Sequence, residues 1–208
     1  NRLVLPRTAS DSRSAHAETG YGLDAVWSDD FHHQIRNLTA GDTEGYYADF
    51  ADTTPTDVAM TIRDGWFYRG QVAEYFGGER GTDPSPVALD QCVVFIQNHD
   101  QVGNRPLGDR LTESVSLPVY RAVSTLLCFL PEIPLLFMGQ EWAAGTPFQF
   151  FTDHNEDIGP SVTEGRKEEF EDFPGFQGEV PDPQDAATVE RSTLDWDEPA
   201  RPPHGGIL

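Results

Sequence analysis

Two patterns recur along this chain: short apolar runs that empty into polar clusters, and longer stretches with one apolar face. The densest run is Cys92-Val93-Val94-Phe95-Ile96-Gln97. Rich in β-branched and aromatic residues, it predicts a buried strand leading directly into Asn98-His99-Asp100-Gln101-Val102-Gly103-Asn104-Arg105. Upstream, residues 21–27 predict a short strand. Ser28, Asp29 and Asp30 then predict the cap and first turn of a helix running to about residue 39 and stopped by Gly41. A second helix is expected from Thr56 or Asp57, carrying Val58, Ile62, Phe67 and Tyr68, followed by a long loop through Gly77, Gly78 and residues 81–86. Pro118 suits a first helical position, with Val119, Ala122, Val123, Leu126, Leu127 and Leu130 spaced on one face. Pro131 and Pro134 are expected to end that helix, and Leu135-Leu136-Phe137-Met138 to form a third strand opening onto Gly139-Gln140-Glu141-Trp142. A charged helix is expected over 163–173, loop or a truncated edge over 1–20, and little regular structure beyond Pro174.

Strand, helix, strand, helix, strand in this order predicts an α/β fold with parallel strands joined by crossovers. Polar residues at the carboxyl ends of parallel strands are how open α/β sheets and TIM barrels build their sites, and one strand does not say which. The groups at the three strand ends are Asp24, Asp29, Asp30, His32 and His33, then His99 and Asp100, then Glu141. Asp29 and Asp30 fit helix capping as well as chemistry, and the two histidines fit a half-buried helix face. The cluster from Asn98 onward holds more hydrogen-bonding side chains than capping requires, which points to function.

Charge narrows the partners. With 35 acidic against 14 basic residues the formal net charge is -21, so no basic face is expected for nucleic acid, and anionic membranes are disfavoured. No apolar run reaches the eighteen or so residues a membrane span needs, and no secretory leader is visible, although the chain starts at Asn1 rather than Met. Cys92 and Cys128 form no metal-spaced pair, so both are expected as inert core thiols in a reducing, cytoplasmic setting. His32, His33, His99, Asp100 and Glu141 supply metal-ligand types, but adjacent histidines point to different helix faces, so no metal site is expected. There is no nucleophile elbow and no glycine-rich phosphate loop. Trp27, Phe31, Trp142, Phe148, Phe150 and Phe151 near the strand ends suit stacking on sugar rings, and with the carboxylates they lean towards carbohydrate.

Phe95-Ile96-Gln97-Asn98-His99-Asp100 resembles the fourth signature region of the α-amylase family of glycoside hydrolases, family 13: an aromatic, two variable residues, then Asn-His-Asp at the end of barrel strand seven. Several blocks are similar to its malto-oligosyltrehalose trehalohydrolase branch: Gln97 to Arg105, Trp27-Ser28-Asp29-Asp30-Phe31-His32-His33, Gly45-Tyr46-Tyr47-Ala48-Asp49-Phe50, Phe137 to Trp142 and Phe151-Thr152-Asp153-His154. The resemblance runs from about Gly20 to Phe176. It implies a partial (β/α)8 TIM barrel, about strands six to eight, over residues 21–176, after an N-terminal edge at 1–20 and before an irregular acidic tail at 177–208. It also implies a retaining hydrolase that cuts the α-1,4 bond next to the terminal trehalose of malto-oligosyltrehalose by a two-carboxylate route, without a cofactor. Asp100 matches the aspartate that stabilises the transition state, and His99 the histidine that holds sugar hydroxyls at the cleaved ring. Asn98, Gln101, Val102, Gly103, Asn104 and Arg105 would share that substrate-facing segment, Asp30, His32 and His33 would line the trehalose side, and Gln140 and Glu141 would contact substrate.

One departure from the family is large. The Arg-x-Asp-Ala nucleophile motif is absent; Gly22-Leu23-Asp24-Ala25 imitates it without the arginine. The chain is therefore expected to need the remainder of its own barrel and to be inactive alone. The rivals are another family 13 enzyme such as a branching enzyme, a non-catalytic sugar-binding module, and a metal-dependent hydrolase built on His32, His33 and His99.

Overall fold

The computed structural model describes residues 21–171 and 178–207. The expected edge at 1–20 and the last residues of the expected 163–173 helix lie outside the described residues. The chain forms two compact units: the first runs to Ile96 and adds Ala122–Leu135, and the second holds Gln97–Arg121 and continues from Leu136.

The first unit is built on a parallel sheet of β1 (Val26–Trp27), β4 (Cys92–Val94) and β5 (Ile133–Pro134), in the order β1-β4-β5. Val26 aligns with Cys92 and Val93 with Ile133, and the ladder is extended by Ser28 N–H to Val93 O at 2.8 Å and Leu135 N–H to Val94 O at 2.8 Å. The expected parallel α/β arrangement is thus present, but the strands are short. The third strand sits at Ile133–Pro134, ahead of the expected 135–138: Pro134 lacks an N–H, but its neighbours supply the ladder.

Between β1 and β4 lie α1 (Asp30–Ala40), a 3₁₀ turn at Gly45–Phe50, α2 (Pro55–Asp64) and an antiparallel hairpin of β2 (Arg69–Ala73) and β3 (Gly78–Gly81). Gly41 ends α1 as expected, in the left-handed region at φ 76°. Ser28 is not the cap; its hydroxyl donates to Gly65 O at 2.7 Å. α2 begins earlier than expected, because Thr54 and Asp57 form a reciprocal capping box and Pro55 takes the first position. Phe67 and Tyr68 lie beyond this helix, after Gly65; the hairpin replaces the first part of the expected loop, and residues 82–86 are irregular as expected. Phe50, Tyr68 and Ala73 form one buried cluster with Phe67, and Val87 and Cys92 another with Val26 and Trp66.

The second unit carries α3 (His99–Gly103), α4 (Leu111–Ser114), the start of α5 (Leu117–Phe129), a 3₁₀ turn at Gln140–Trp142, α6 (Gly159–Glu171) and α7 (Ala186–Arg191). α7, capped by Asp185, is regular structure inside the stretch expected to lack it. On α5 the buried positions are Tyr120, Val123, Ser124 and Leu127, while Val119, Leu126 and especially Phe129, 84% exposed, face outward. Cys128 falls on that outer side and is exposed, so only Cys92 is the buried thiol expected of both.

Candidate active site

β4 passes into Phe95 and Ile96, both without exposure, and then into Gln97 and Asn98 at 2% each. Asn98 turns the chain into α3: its side-chain oxygen accepts Gln101 N–H at 2.7 Å, the bond an N-cap makes. Asn98 is thereby committed to the backbone. His99 and Asp100, the first residues of the helix, project outward, their side chains 54% and 61% exposed, with His99 Nε2 3.2 Å from Asp100 Oδ1. Gln101, Val102 and Gly103 are buried beneath them. Asn104 closes the helix, its N–H on Asp100 O at 2.8 Å, and Arg105 pairs with Asp109 at 2.5 Å. A carboxylate and an imidazole are therefore presented side by side on a five-residue platform, open for hydrogen bonding to a polyhydroxylated ligand.

Also in the second unit, Gln140 is fully buried; its side-chain oxygen accepts Phe137 N–H at 3.2 Å and its carbonyl accepts the Tyr120 hydroxyl at 2.9 Å. It shapes the turn on which exposed Glu141 stands.

Asp30, His32 and His33 belong to the first unit. Asp30 is 6% exposed and accepts Phe67 N–H at 2.8 Å and Tyr68 N–H at 3.1 Å, tying α1 to the segment after α2. Burial pushes its carboxyl up to about 6, with the two backbone donors opposing. His32 lies with Nδ1 2.7 Å from Ile96 O and Nε2 3.0 Å from the Tyr47 hydroxyl. A carbonyl only accepts, so Nδ1 carries a proton, and Nε2 shares a hydrogen bond with the Tyr47 hydroxyl. The His33 ring packs 5.0 Å from Tyr46 and 5.1 Å from Phe50, and burial, with Arg80 adding, lowers its pKa to about 3. Both His32 nitrogens are engaged and His33 is neutral among aromatic rings; among the described residues no three His, Cys, Asp or Glu groups gather as a metal site.

No protein-family model matches the chain. Its sequence is 51% identical over 181 residues to the malto-oligosyltrehalose trehalohydrolase of Deinococcus radiodurans, covering 85% of this chain and 30% of that protein. This chain is a relative of the malto-oligosyltrehalose trehalohydrolases. The enzyme of that name from Arthrobacter ramosus is 44% identical over 199 residues, covering 95% of this chain and 34% of the relative, and that from Saccharolobus solfataricus 38% over 181, covering 85% and 30%. The chain thus spans 30% to 34% of the length of these trehalohydrolases. A crystal structure of a Salmonella typhimurium protein described as a candidate alpha amylase matches with a TM-score of 0.83 and 37% identity, covering 96% of this chain and 32% of that one.

Against this trehalohydrolase background, two arginines stand out that the sequence pattern passed over. Arg110 is 2% exposed, donating to Thr146 O at 2.5 Å and Met138 O at 2.8 Å over the Phe137 ring. Arg166, on α6, is 6% exposed and reaches Gly103 O at 2.7 Å and Arg105 O at 3.1 Å. Isolated basic residues give no periodic signal. The only hint was their rarity: 14 lysines and arginines in all leave few to spend away from the surface.

Proposed function

We propose that this chain supplies about strands six to eight of a (β/α)8 catalytic barrel, over residues 21–176, in a cytoplasmic, cofactor-independent glycoside hydrolase that releases trehalose from malto-oligosyltrehalose. The observation that carries the reading is the 51% identity over 181 residues to a trehalohydrolase, extending through the Asn98-His99-Asp100 segment at the carboxyl end of a parallel strand. In this reading Asp100 is the carboxylate that stabilises positive charge at the cleaved sugar, and His99 orients that sugar's hydroxyls. Asn98 acts indirectly by capping α3, and Gln101 to Arg105 form the substrate-facing loop. Gln140 supports the turn that offers Glu141, and Asp30, His32 and His33 shape the trehalose side by packing. The nucleophile and the general acid come from the remainder of the barrel. The segment 177–208 follows the barrel as an acidic extension.

The test is a hybrid in which this chain replaces the matching third of the Deinococcus radiodurans enzyme. The hybrid is expected to release trehalose, Asp100→Asn to lower kcat about 10³-fold, and the 208-residue chain alone to release none. Trehalose release by the isolated chain, or an Asp100→Asn hybrid as active as its parent, would overturn the reading.

A further inference from the structure

Asp100 does not hold itself in place. Its carboxylate is exposed beside His99, so its orientation comes from the backbone of α3, and five residues are too few for a self-sustaining helix. Such a helix must be clamped at both ends. Asn98 clamps the first end through Gln101 N–H. At the other end the carbonyls of Gly103 and Arg105 both point to one guanidinium, that of Arg166, which arrives from 61 residues downstream of Arg105. We propose that Arg166 is the positioning residue for the Asp100 segment, fixing α3 so that His99 and Asp100 are presented in one orientation; the catalytic part of this inference rests on the function proposed above.

The slot is built for the task. Nη2 of Arg166 serves both carbonyls, and Nη1 is held by Glu169 at 2.8 Å. The Phe170 ring lies 4.4 Å and the Phe150 ring 5.1 Å from the guanidinium carbon, enclosing it between apolar surfaces. A planar fork pinned by a carboxylate and two rings has little freedom, so the carbonyls it grips have little too. Cationic donors at a helix C-terminus also oppose the negative end of the dipole. Lysine places a point charge that can serve these carbonyls only in part, and methionine removes the charge while keeping the stem.

Two measurements on Arg166→Met and Arg166→Lys decide the matter. In the hybrid, Arg166→Met is expected to lower kcat about 10²-fold with KM changed less than about threefold, as for a displaced transition-state group, and Arg166→Lys to recover roughly tenfold of the loss. In the same hybrid, amide hydrogen exchange at Val102 to Asn104 is expected to accelerate in Arg166→Met, with Val93 and Val94 of β4 unchanged. A kcat that falls only in step with the folded fraction, or α3 amides that stay protected, would overturn the proposal. An inactive parent hybrid would count against the proposed function instead, and the exchange measurement would still decide the positioning role.

Discussion

Asp30 shows what a buried carboxylate does when its partners are backbone donors rather than cations. Its folded pKa of about 6 lies above the ordinary 3.8, so the folded state keeps a proton that the unfolded chain has lost. Its contribution to stability is whole below about pH 4 and is lost as the pH rises towards 6, the reverse of a salt-bridged aspartate. Asp30→Asn keeps an oxygen for Phe67 and Tyr68 and removes the charge. It is expected to match the parent near pH 3 and to exceed it at pH 7 by up to about 3 kcal/mol, at about 1.4 kcal/mol per pKa unit. Thermal unfolding of both proteins across that range checks this; parallel curves would show that Asp30 is not the titrating group. The same residue looked like a helix cap from its position alone, and its distant partners at 67 and 68 could not be read from spacing.

At the scale of elements, what local chemistry decides was legible and what packing decides was not. Gly41 as a helix stop and the strand from Cys92 follow from residue type and period. The β2–β3 hairpin was missed because Arg69-Gly70-Gln71 and Gly78-Glu79-Arg80 lack alternating apolar residues; β2 and β3 bury chiefly Ala73. Arg80 instead lays its guanidinium 3.6 Å over the Phe76 ring, so the hairpin is held by stacking on its own turn. The candidate site divides the same way: the Asn98-His99-Asp100 string announced itself, whereas Arg166 and the buried Gln140 owe their roles to neighbours distant in sequence. The hairpin offers a direct test at Gly81, whose φ is +82° and where an added Cβ would stand 2.2 Å from Tyr68 O. Gly81→Ala is expected to cost at least about 2 kcal/mol, from left-handed backbone strain and the carbonyl overlap. An unchanged unfolding midpoint would show that β3 ends before Gly81.

Over the whole molecule, a net charge of -21 on 208 residues means that self-repulsion works against compaction everywhere at once. Raising NaCl from 0.05 to about 1 M shortens the screening length roughly fourfold. The unfolding midpoint is therefore expected to rise with salt, and in similar measure in Arg166→Lys, which keeps the net charge. A flat or falling midpoint would show that local ion pairs such as Arg36–Asp42, at 2.6 Å, outweigh the global term. The parallel sheet adds a consequence in time. β1 emerges from a ribosome well before its partner β4, and its first alignment, Val26 with Cys92, waits for another 66 residues. At roughly 5 to 20 residues per second that wait is roughly 3 to 13 s. Through that interval Val26 and Trp27 wait for β4, so this pairing forms only once the site-bearing strand has been made.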